Sequence, residues 1–139
     1  MRVKDILVAL GLVALFVVAV LTVPYYVLNA KYLGFKHKSI SYHADFAKAC
    51  DSMLAHYSLG TNIMGADISV TDASLPKIVS DVHPVRISIS TNHVWILVRG
   101  GHVGGLAIIW EPRDETQTNW ALSITDGEGQ NDVVYATSR

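Results

Sequence analysis

The chain has a single cysteine, Cys50, among its 139 residues, so no disulfide can form within it. Cys50 falls in the apolar stripe of a helical segment and reads as a small buried hydrophobe. It also lies too far beyond the N-terminal apolar run to be the lipidated cysteine that follows a signal peptide. Clustered basic charge is lacking too: 11 Lys and Arg stand against 12 Asp and Glu, a formal net charge of −1. Polyanions are held by clustered cations that displace counterions, so nucleic acid is not an expected partner.

Motifs that carry chemistry are equally sparse. No Gly-x-Ser-x-Gly and no His-x-x-x-His occurs, and no Lys-Ser/Thr follows the glycines at 100–105, which are therefore not a P-loop. The histidines His37, His43, His56, His83, His93 and His102 form no short ligand motif, and Cys50 has no second cysteine nearby, so neither a metal nor a cofactor is expected. The acidic loop Asp126 to Asp132 lacks EF-hand spacing and reads as a solvated hairpin turn, and Asp114 and Glu115 sit in a polar loop where both stay ordinary. Catalysis is not the expected reading.

Charge is absent altogether from Ile6 to Val23, where every residue is apolar, Gly or Thr, and Tyr25 to Leu28 extend the run past Pro24. A helix of about 18 to 23 residues covers roughly 27 to 34 Å at its usual rise, against a hydrocarbon core of about 30 Å. A signal peptide has an apolar region of about 7 to 15 residues, shorter than this one, so residues 1–28 are expected to stay as a transmembrane signal anchor in the lipid bilayer. Pro24, Tyr25 and Tyr26 suit the headgroup interface and place the membrane exit near Tyr25. Arg2 and Lys4 on one side nearly balance Lys31, Lys36 and Lys38 on the other. A short basic tail before the first helix is the usual signal-anchor arrangement, favouring a cytoplasmic N-terminus and an extracytoplasmic C-terminal domain.

Residues 29–40 lack a sustained period and read as a juxtamembrane linker, a solvated spacer whose lysines can touch anionic lipid. Residues 41–139 read as one α+β domain. Phe46, Cys50, Met53, Leu54 and Tyr57 recur at helical spacing, with Ser41 as N-cap and Gly60 after the last turn. Leu75, Ile78, Val79 and Val82 give a second, short helix that has Pro76 in its first turn and ends before His83-Pro84, with Asp72 or Ser74 as its cap. Beyond Pro84 the period becomes two: strands are expected over 85–90, 94–99, 106–111, 120–125 and 133–136, joined by short connections. The whole is a transmembrane helix followed by two helices packed on a four- to five-stranded antiparallel meander.

Leu75-Pro76-x-Ile78, Pro84 ahead of an alternating strand, Val94 to Val98, and Gly100-Gly101-His102 ahead of Gly104-Gly105 resemble a set of small uncharacterised bacterial proteins. The likeness covers roughly residues 70–111 and implies a folded domain without a particular activity. A looser similarity of architecture, an apolar helix running into an antiparallel sheet, is to pilin-like subunits, but the prepilin cleavage signal has no match here.

Two functions of different class follow. The first is a non-catalytic envelope module that binds a protein partner or self-associates through the Gly-rich loop and the second face of the sheet, with Trp95, Leu97 and Trp110 as its contact residues; the neighbouring strand offers Ile109 or Trp110 to one face or the other, and the face lies open unless the linker covers it. The alternative is a small-ligand-binding or hydrolytic site near the Gly-rich loop, using Arg99, Gly100, Gly101 and His102 together with the 126–132 loop, with the glycines shaping a nest of amides around an anion.

Overall fold

The computed structural model describes residues 2–57, 65–100 and 105–138. Helix α1 runs over Val3–Leu28, with the Arg2 amide donating to the Asp5 carboxylate at 3.1 Å to close its first turn. Pro24 lies inside the helix and does not end it, and the last turn closes with the Asn29 amide on the Tyr25 carbonyl. No residue of α1 is buried by the rest of the chain, and the helix is long and apolar enough to cross a membrane.

The domain is α+β. Its sheet has six strands in chain order, each antiparallel to the next: β1 (Ala66–Ile68), β2 (Arg86–Ile89), β3 (Val94–Arg99), β4 (Leu106–Pro112), β5 (Asn119–Thr125) and β6 (Asn131–Ser138). The strand beyond expectation is β1, three residues pairing with β2 as an edge. Alternation puts one side chain in two on each face, and register aligns them across the strands. Ile68, Ile87, Ile96, Ile108 and Ile124 form one continuous row, and Ile89, Val94, Trp110 and Leu122 form the next.

Both rows are covered by helices. Helix α3 (Ile40–His56) turns Phe46, Cys50 and Met53 onto them, and the four-residue helix α4 (Lys77–Ser80) adds Val79. The N-cap of α3 is Ser39 rather than Ser41, its Oγ accepting from the Tyr42 amide at 3.2 Å. Position 60 lies outside the described residues. Burial of Cys50 among these side chains pushes its thiol well above its ordinary pKa. Asp72 caps no helix; it accepts from the Ser74 amide and from the Tyr57 hydroxyl, tying the end of α3 to the segment before α4.

The segment between α1 and α3 differs most from expectation. Ala30–Lys36 is a helix, α2, and its Tyr32 and Phe35 belong to the core, so the segment is not a solvated spacer. Seven residues hold too few turns for a period to register, yet Tyr32, Phe35 and Lys36 share one side at i, i+3 and i+4. Phe35 meets Phe46 edge-on with ring centroids 5.1 Å apart, and its carbonyl lies 2.9 Å from Nε2 of buried His43. On the sheet side, Tyr32 Oη donates to Asp132 at 2.5 Å and Lys36 Nζ at 2.6 Å.

That junction is expected to respond to pH. Lys36, then Tyr32, hold the Asp132 carboxyl below its ordinary pKa, while burial, then Asp132, hold the Tyr32 hydroxyl above its own. A depressed carboxyl contributes stability above the unfolded value of about 4, which is lost as pH falls through the native value; a raised phenol loses its contribution above about pH 10. The stability gap between the wild-type chain and Asp132→Asn, measured by urea unfolding, is therefore expected to narrow from about pH 6 to about pH 3. A gap that stayed constant would contradict the assignment.

Candidate functional site

The outer face of the sheet carries the row Ser88, Trp95, Ile109, Ser123 and Val133, and beside it Arg86, Leu97, Ala107 and Thr125. Trp95, Leu97 and Ile109 are half-buried and Val133 is 46% exposed, while Ser123 between Ile109 and Val133 is buried. Among the described residues no helix lies over this face: α2, the one element that was a candidate cover, docks on the opposite side with Tyr32 and Phe35. Trp95 and Leu97 thus share an open, partly apolar surface.

Trp110 is not part of it. It faces the helices, is 1% exposed, and its Nε1 donates to the Asp51 carboxylate of α3 at 2.8 Å. The residue on β4 that joins Trp95 is Ile109, directly opposite it in register. A one-residue offset decides which of two neighbours faces out, and the sequence left that parity open.

Arg99 and Gly100 are exposed at the end of β3, while Gly101 and His102 lie outside the described residues. The fold does bring Arg99 and Gly100 beside Asp126 and Gly127 of the β5–β6 turn, around a shallow hollow of about 100 Å³. Small-molecule sites usually run from about 300 Å³ upward. Asp126 spends one carboxylate oxygen on its own loop, accepting from the Glu128 amide at 2.9 Å and the Gln130 amide at 2.8 Å, with Gly129 at φ +89° completing the turn. Among the described residues no three His, Cys, Asp or Glu side chains come together as metal ligands.

One pair resembles part of a hydrolytic site. Ser90 Oγ lies 2.6 Å from Nδ1 of His93. Both residues belong to the tight β2–β3 hairpin, whose backbone closes with the Ser90 amide on the His93 carbonyl at 3.0 Å. Nucleophilic catalysis also requires an oriented base and oxyanion donors around a space for substrate, and neither Ser90 nor His93 lines the hollow beside Arg99 or the cleft beside Phe35.

Sequence reasoning missed a cleft of about 400 Å³ on the helix side. Phe35 of α2, Tyr42 of α3, Val82 beyond α4, and Val98 and Leu106 of β3 and β4 supply its apolar lining. Lys31, Lys38, Asp81 and His83 also line it, in a cleft that burial leaves more apolar than charged. Both oxygens of Asp81 are engaged by Lys77 Nζ at 2.7 Å, whereas Lys31 and Lys38 have no carboxylate partner among the described residues. Lys38 Nζ stands 5.3 Å from the Tyr42 ring centroid. Burial first, and Asp81 second, push the Tyr42 hydroxyl above its ordinary pKa. His83 holds φ +52°, a left-handed conformation rare outside glycine, just before Pro84. The lining comes from five separate segments, and the only trace of it along the chain is the lysine group at 31–38.

No protein-family profile, no curated protein and no solved structure matches this chain.

Proposed function

We propose that the chain is a single-pass membrane protein whose α+β domain stands outside the cytoplasm and serves as a non-catalytic binding or assembly module, engaging a protein partner or a second copy through the outer face of the sheet. The observation that carries this reading is the uncovered row of Trp95, Ile109 and Val133 beside Leu97, on a sheet whose other face is packed by three helices. Exposed apolar surface rimmed by polar groups is the usual mark of a contact surface, and Arg86, Ser88 and Thr125 supply such a rim. Helix α1 is the tether, and the basic pair Arg2 and Lys4 flanking it favours a cytoplasmic N-terminus.

Trp95→Asp combined with Leu97→Asp tests the surface. A partly exposed site tolerates charge, so the variant is expected to fold as the wild type does, while the assembled species seen on a sizing column in micelles shifts to the single chain or loses its bound partner. A folded variant with the same assembled size and the same co-purifying proteins would overturn the proposal.

A further inference from the structure

The cleft between α2, α3 and the sheet has a feature the outer face lacks, a definite chemical preference. Its interior is apolar, formed by Phe35, Val82 and Leu106, and its two cations without carboxylate partners, Lys31 and Lys38, share that lining. The one carboxylate in the lining, Asp81, has both of its oxygens engaged by Lys77. Apolar walls with unpaired ammonium groups complement a molecule with a hydrocarbon chain and an anionic head.

Position narrows the source. Lys31 lies three residues beyond the end of α1 and six beyond Tyr25, so if α1 is embedded with its exit near Tyr25, this end of the cleft lies within about two helical turns of the bilayer surface.

We infer that this cleft takes one anionic amphiphile, a single-chain or splayed acyl group with a phosphate head drawn from the adjacent leaflet, and seats its head on Lys31 and Lys38. The inference rests on the membrane-tether reading for the source of the ligand, but not for the binding itself.

Full-length protein in neutral detergent micelles, titrated with lysophosphatidylglycerol and lysophosphatidylcholine and read by native mass spectrometry, tests it. One lysophosphatidylglycerol per chain is expected, preferred over the zwitterion by roughly twentyfold, since each surface lysine is worth about fivefold. Lys31→Glu with Lys38→Glu is expected to abolish that preference, and Lys31→Arg with Lys38→Arg to keep it. Equal retention of both lipids, a preference unchanged in the glutamate variant, or displacement of the lipid by inorganic phosphate alone would each overturn the assignment. The two readings fail separately: a chain that binds the lipid but behaves as a soluble protein loses the tether and keeps the cleft, and an embedded chain without the preference loses the cleft.

Discussion

Replacing Trp110 by alanine is expected to lower the unfolding free energy of the domain by about 3–5 kcal/mol, the range for emptying a large aromatic site in a packed core. Trp110 is 1% exposed, sits between Val94 and Leu122 in the inner row, and lies 5.3 Å centroid to centroid from Trp120. Its loss also removes the bond to Asp51 that joins the sheet to α3. A domain of this size holds on the order of 5–15 kcal/mol in total, so the variant would be marginal or unfolded near room temperature. Urea unfolding of the full chain in micelles, followed by near-UV circular dichroism, measures the difference. Trp95→Ala on the outer face is expected to cost less than about 1 kcal/mol by the same assay. Equal losses at the two tryptophans would mean that the two faces of the sheet are not distinguished as described.

The contrast between Trp110 and Trp95 also marks where sequence reasoning reached its limit. The strands β2 to β5 were legible because Val85, Ile87 and Ile89, then Val94, Ile96 and Val98, alternate with polar or mixed neighbours, and short polar connections leave little room for anything but hairpins. Helix α3 was legible from Phe46, Cys50 and Met53 on one stripe. Run together, Ile108, Ile109 and Trp110 carry no alternation, so only the pairing of Ile109 with Trp95 assigns Trp110 inward. Strand β1 and helix α2 are too short for either period to register, and both are held by partners distant in sequence: Ile87 to Ile89 for β1, and Phe46 and Asp132 for α2. The cleft was illegible for the same reason. Its lysines were visible as charge near the membrane, but its apolar lining is a product of tertiary packing.

These features meet at the junction of α1 and the domain. Tyr32 and Lys36 clamp α2 to Asp132, and Phe35 packs it against Phe46, so the chain leaving α1 enters the domain core within a few residues. On the proposed membrane tether, a junction that short would keep the cleft beside the bilayer and leave the outer sheet face, on the far side of the domain core, for larger contacts.

Membrane residence of α1 is the premise that the tether and the ligand source share. Thirteen of the eighteen residues from Ile6 to Val23 are Leu, Ile, Phe or Val. At about 0.3–0.6 kcal/mol each near the helix centre they favour insertion by on the order of 5 kcal/mol, and an arginine there costs about 2.5–3.5 kcal/mol. Extraction of cell membranes with alkaline carbonate, following the C-terminal domain by antibody, is the most direct measurement. The intact chain is expected to stay with the membrane pellet, and Val13→Arg combined with Val17→Arg to release most of it; recovery of the wild-type domain in the soluble fraction, whether full-length or trimmed of its apolar segment, would contradict the account.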